Sequence, residues 1–333
     1  MKSKNLITLA IVLGVLIIIY LAQTLGTSKK SVSESLVELF PDFNSSSVSY
    51  IKVFKQGYPD SGLSFAKKDG NWVVDSYFNA PAKATDIEKL LGDVDTLQGE
   101  VRSTSAELFG DYEIGDDVAL RLQFMGPDST DLAYLLVGKG VPQASKASFA
   151  RKNGSDTVYM ANINFLSRFA VWNAEPAKRM PGKRWAELKM IEVDKDKISS
   201  VEIKIKKQNY RFEKKEEISE DTLEAVKSVW YQVEPAGGDQ LKEDKITGII
   251  GRLANLRATE IIGSEALPEQ GLTEPDHIVS ITTDEGLISR VAFGAEADTS
   301  GNMLYTMVES QPYIYTISKS TFESIFVTPF KKD

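Results

Sequence analysis

The chain has 333 residues, 42% of them apolar and 26% charged, which suits two globular domains with ordinary cores. A net charge of −8 excludes a broad nucleic-acid surface, because neutralising phosphates takes clustered Lys and Arg. The lack of cysteine excludes disulfides, thiolate metal sites and cysteine nucleophiles, and fits any redox compartment.

The N-terminus carries an uncharged apolar run from Leu6 to Ala22, after Lys2 and Lys4. Extended to Leu25 it reaches about 30 Å as a helix, one bilayer core. A cleaved signal peptide would have a shorter apolar region and an A-x-A-like site. Thr24-Leu25-Gly26 is a poor match to such a site. The expectation is an uncleaved transmembrane signal anchor over residues 1–26. The bulk of the chain is then extracytoplasmic, on the periplasmic side of a bacterial inner membrane. A polar stalk over 27–46 follows, with "SLVELF" as a single helical turn.

From residue 47 the pattern changes to short alternating runs. "VSYIKVF" and "LSFAKK" read as a hairpin, and Asp69-Gly70 is a turn leading to a strand at Trp72. Next, Ile87, Leu90, Leu91, Val94 and Leu97 make one apolar stripe on a helix. "VALRLQF", "AYLLVGKG", a turn at Asn153-Gly154, a strand at Val158-Tyr159 and a closing helix at Phe165 complete a domain over 47–172. A Pro-rich basic connector spans 173–196.

The second half repeats the first. Ile246, Ile249, Ile250, Leu253 and Leu256 reproduce the stripe, with Gly251 at the place of Gly92. Phe65 matches Phe212, Trp72 matches Trp230, Gly138 matches Gly294, and Val158-Tyr159 match Ile314-Tyr315. "EEISEDTLEAV" is an insertion in the second copy, expected as a helical acidic loop. Each copy thus reads as strands, a long helix, four short strands and a short helix. The predicted fold class is α+β: a transmembrane helix followed by two tandem repeated domains with mainly antiparallel sheets, the second over 197–333.

This arrangement resembles the family called domain of unknown function 4340. "EQGLTEPDHIVSITT" (269–283) is the part most like that family's motif, and the first copy lacks its Gly-Leu and Pro pattern. The resemblance implies an auxiliary role beside ABC transporters of the gliding-motility (Gld) type, with a permease or other membrane subunit as partner. It supplies no active site.

Catalytic material is sparse. His277 is the sole histidine, and a zinc site without Cys or a second His would need carboxylates alone. Ser64-Phe65-Ala66-Lys67 has the S-x-x-K spacing, but on a strand its Ser and Lys face opposite ways. Gly138-Lys139-Gly140 lacks the phosphate-loop spacing. Asp116-Asp117, Asp194/Asp196 and Asp284-Glu285 read as solvated turns, without the ligand pattern of a calcium loop. Trp72 and Trp230 occupy matched strand positions and read as core. Trp172 and Trp185 flank the connector and are the candidate partner contacts. No catalytic residue, metal or cofactor is expected. The functional expectation is an extracytoplasmic accessory or interaction protein of a Gld-type ABC transport system. The alternative is an envelope glycan-binding protein or a carboxylate-based hydrolase.

Overall fold

A computed structural model describes residue 13 and residues 36–171, 179–218, 226–235 and 243–326. It divides into two compact units, Met1–Lys67 with Ala84–Pro181, and Lys68–Lys83 with Gly182–Asp333.

The first unit contains β1 (Leu36–Glu38), β2 (Tyr50–Lys55) and β3 (Tyr58–Lys68). The second unit takes β4 (Asn71–Val74) and β5 (Ala80–Pro81). Then come helix α1 (Ala84–Asp95), β6 (Gln98–Ser103), the one-turn α2 (Phe109–Tyr112) and β7 (Leu120–Met125). The unit closes with β8 (Asp131–Val141), β9 (Ala144–Lys152), β10 (Val158–Ala161) and α3 (Phe165–Phe169). The second unit continues with β11 (Ile198–Ile205), β12 (Gln208–Ile218), β13 (Val226–Glu234) and α4 (Glu243–Leu253). It ends with β14 (Glu260–Gly263), β15 (His277–Thr283), β16 (Gly286–Glu296), β17 (Met303–Val308), β18 (Ile314–Ser318) and α5 (Lys319–Ile325).

Both sheets are antiparallel and follow one order. In the first unit it runs β6-β10-β9-β8-β7-β2-β3, with β1 added outside β6. In the second it runs β14-β18-β17-β16-β15-β11-β12, with β13 outside β12. The ten apolar positions of the two stripes are all buried, from Ile87 to Leu97 and from Ile246 to Leu256. Alternate strand residues face these helices, including Ile51, Val53, Leu122 and Phe124 in the first unit and Val201, Ile203, Val279 and Ile281 in the second.

A second similarity sits at the glycines. A Cβ on Gly138 would lie 2.2 Å from the carbonyl oxygen of Tyr112, and one on Gly294 would lie 2.0 Å from that of Gln270. In each unit the loop after the first post-helix strand presses its backbone onto the sheet where there is no side chain. The next residue, Glu113 or Gly271, turns the chain with positive φ.

Several expectations need correction. The fold is mostly β, not α+β: the long helices have 12 and 11 residues, and the other helices are a turn or two. Five strands, not four, follow each long helix, because β6 in "LQGEV" and β14 in "TEIIG" come between the helix and the four expected strands. Residues 36–38 form a strand and not a helical turn, with Leu39 and Phe43 buried beside it. The ends of "EEISEDTLEAV" extend the β12–β13 hairpin, Glu216 opposite Ser228 and Ile218 opposite Val226; its middle lies outside the described residues. The fold as expected also included a transmembrane helix. Among the described residues no helix is long and apolar enough to cross a membrane, and the expected span, 6–25, lies outside them except for Leu13.

The arm Lys68–Lys83 is built into the second unit. Asp69 and Gly70 both have positive φ, as a two-residue type I′ turn requires. The Tyr77 hydroxyl donates to the carbonyl of Ile261 at 2.7 Å and accepts from its N–H at 3.0 Å. Ile261 is on the edge strand β14, so Tyr77 satisfies backbone groups that a sheet edge leaves open. Burial pushes its phenol up to about 12.

Candidate functional site

Alternation that sends Val201, Ile203, Phe212, Val279 and Ile281 to the core sends their neighbours to the opposite face of the second sheet. Register then lines these neighbours into rows across the strands. Glu234 on β13 is opposite Arg211 on β12, Arg211 is opposite Glu202 on β11, Glu202 is opposite Ser280 on β15, and Ser280 is opposite Arg290 on β16. The adjacent row is Lys204, Ile278, Ala292 and Met307.

These rows floor a groove of about 520 Å³. An adjoining slot of about 200 Å³ has Leu272, Pro275, Ile278, Ala292 and Met307 in its walls. Charges in the groove face one another. Arg211 Nη2 lies 2.7 Å from Glu213 Oε1 and its Nε 3.7 Å from Glu202 Oε1; Arg290 Nη1 lies 3.9 Å from Glu309 Oε2. Such partly exposed pairs are worth little stability, about 0–1 kcal/mol each. They do hold the long side chains in place.

The same face of the first unit is different. Its corresponding row is Phe54, Arg121, Leu136 and Arg151. The segment 104–119 lies over it. Ile114, Ala119, Leu136 and Val158 form a small buried cluster there, packed by Phe109, Tyr112, Tyr134 and Phe149. Arg151, whose side chain is 4% exposed, donates from Nε to the carbonyl of Ile114 and from Nη2 to Asp116 Oδ1 at 2.8 Å. Arg121 Nη2 reaches the same oxygen at 3.0 Å, and Arg121 Nη1 donates to the Tyr134 hydroxyl. The Arg151 guanidinium also lies 4.5 Å over the Phe109 ring. Asp116, read from sequence as a solvated turn residue, is 70% exposed and also clamps two buried guanidiniums.

The first unit has its own opening, about 320 Å³, with Lys55, Leu120, Val137, Lys139 and Asn164 in its walls. In the second unit the matching strand pair is His277 opposite Phe293, where the first has Leu120 opposite Val137. There the rings of Phe322 and Phe326 each stand 5.0 Å from His277. Burial holds the His277 imidazole below its ordinary value, Asp276 opposes that and Lys206 reinforces it.

Of the candidate contacts, Trp185 is 3% exposed and does not line the groove; Trp172 lies outside the described residues. Trp72 and Trp230 are half-buried. Ser64 and Lys67 both lie on β3, and Gly138-Lys139-Gly140 lies within β8. Asp194 caps a single 3-10 turn by accepting from the N–H of Asp196. No group of three or more His, Cys, Asp or Glu suited to a metal ion occurs among the described residues.

A model of the family described as Domain of unknown function (DUF4340) matches residues 72–275. The chain belongs to the DUF4340 family. No curated protein matches it, and no solved structure does. The DUF4340 match takes in Glu202, Arg211 and Glu234 of the groove, while Ile278, Ser280 and Arg290 follow it in the chain.

Proposed function

We propose that this DUF4340 protein holds a ligand or partner and does not transform it, as an accessory subunit of a Gld-type ABC transport system on the extracytoplasmic side of the bacterial inner membrane. The open sheet face of the second unit is the holding surface. The observation that carries this reading is the groove: its floor is a broad cross-strand row, and its charged groups are engaged with each other. The family resemblance supplies the transporter. Native purification in mild detergent tests it. A permease subunit is expected to accompany the protein, and Ser280→Arg, which places a long side chain in the groove, is expected to reduce its recovery at least fivefold. Recovery of no transporter subunit sinks the proposal.

One observation favours a second reading. Glu202 and Glu234 flank Arg211 two strands apart, about 10 Å at the backbone, and paired carboxylates about 5–10 Å apart serve glycoside hydrolysis. Turnover of a cell-wall glycan that is abolished by Glu202→Gln or Glu234→Gln establishes it in place of the first.

A further inference from the structure

Resting on the reading of the groove as a holding surface, we infer that its ligand is a neutral, N-acetylated oligosaccharide of about four sugar units lying across the strands. Charge is the first reason. Lys204, Arg211 and Arg290 stand among Glu202, Glu213, Glu234 and Glu309, so the surface carries no excess of cations to select an acidic ligand. Donors and acceptors alternate along the row Glu234, Arg211, Glu202, Ser280, Arg290. A sugar hydroxyl both donates and accepts, and so can bridge any two neighbours in such a row.

Spacing is the second reason. Adjacent strands lie about 4.8 Å apart, and one pyranose unit of an extended β-1,4-linked glycan advances by nearly the same distance. Five strands, β13, β12, β11, β15 and β16, contribute to the row, so it spans about 19 Å, or four units. A polypeptide strand would seek an edge, where backbone groups are free, and a partner helix would need a continuous apolar strip. The groove offers neither: it is on a sheet face, and its apolar part is the short slot over Ile278, Ala292 and Met307. That slot, beside the polar row, suits the methyl of an N-acetyl group.

The test is calorimetric titration of the full chain with chito-oligosaccharides and cello-oligosaccharides of two to six units. Affinity is expected to rise from the disaccharide to the tetrasaccharide and then level. The chito series is expected to bind several-fold more tightly than the cello series. Raising salt from about 50 to about 500 mM changes a neutral ligand's affinity less than about twofold. Ser280→Arg and Thr282→Arg, both on the exposed face, are each expected to weaken binding at least tenfold with an unchanged melting temperature. Gln123→Ala, at the matching place in the first unit, leaves binding as it is. No saturable binding, or binding independent of chain length and of both arginine variants, overturns the inference. If sugars fail while Ser280→Arg still loses a co-purifying permease, the groove holds protein: the ligand class is wrong and the proposed function stands. If both fail, both fall.

Discussion

The two units carry one strand order and treat its outer face in opposite ways. In the first, the segment 104–119 lies on the sheet, and two buried arginines fix it through Asp116. In the second, the corresponding connection, 264–276, touches down at Gly294 and stops. Ile278 and Met307 replace Arg121 and Arg151 in the row, so nothing there calls for an acidic clamp. All four positions of that row differ between the units, Phe54 against Lys204 and Leu136 against Ala292 as well, and the arginine pair is what ties the first unit's segment to its sheet. The reverse holds near the last helix, where rings fill the second unit at the place of the first unit's opening. A shared frame decides where backbone goes; a few side chains decide which face stays available.

The frame itself is the place to expect the largest effects. Leu91→Asp and Ile250→Asp each put an unpaired carboxylate beneath a sheet, costing about 3–5 kcal/mol. Thermal and urea melts of the two variants are expected to show equivalent losses. If one position tolerates Asp, the two stripes do not do the same job.

Next come the glycines. Gly138→Ala and Gly294→Ala each force a methyl against a backbone carbonyl, which has no flexible end to yield, at about 1–3 kcal/mol. A melting temperature unchanged in either variant separates the two loops and weakens the comparison at its most local point.

The contrast between faces gives a smaller, asymmetric pair. Arg151→Ala removes charged hydrogen bonds to Asp116 and Ile114 from a buried site, about 2–3 kcal/mol. Arg290→Ala, half-exposed with the Glu309 carboxylate 3.9 Å away, costs less than about 0.5 kcal/mol. Urea midpoints at constant m-value measure both. Equal losses mean that the second face is not an idle surface for stability and that its charges were kept for packing.

Much of the frame is legible in sequence, because it rests on local periodicity. The two stripes and the matched Gly138 and Gly294 follow from spacing alone. The clamp and the groove do not. Arg121 and Arg151 look like ordinary strand residues until the register sets both beside Leu136. Glu202 and Ser280 meet only through the pairing of β11 with β15, chosen by long-range packing. Nor does sequence tell how exposed a Trp is: the bulky indole of Trp185, read as a candidate contact, is buried, as a large apolar ring favours. Strands β6 and β14 escape notice because their runs are short and carry a glycine each.

The smallest effect is a pH dependence that belongs to the second unit alone. His277 stands among Phe293, Phe322 and Phe326, and the first unit has Leu120, which cannot titrate, at the matching place. Burial lowers the affinity of the folded imidazole for a proton, with Lys206 acting the same way and Asp276 against it. The unfolded chain binds that proton near the ordinary histidine value of about 6.5. Below that pH the unfolded state therefore holds more protons than the folded one, and stability falls as pH falls. The loss stops once the pH has passed the lower folded value; above the ordinary value the contribution is complete and flat. His277→Leu, which copies the first unit, is expected to remove this component while leaving the carboxylate-driven loss at lower pH. Urea melts of both proteins at pH 8, 6.5 and 5 isolate it as the difference between them. A difference that does not change over this range, or that grows in favour of the native protein as pH falls, shows that the rings do not desolvate the imidazole and that this corner of the two units differs in shape only.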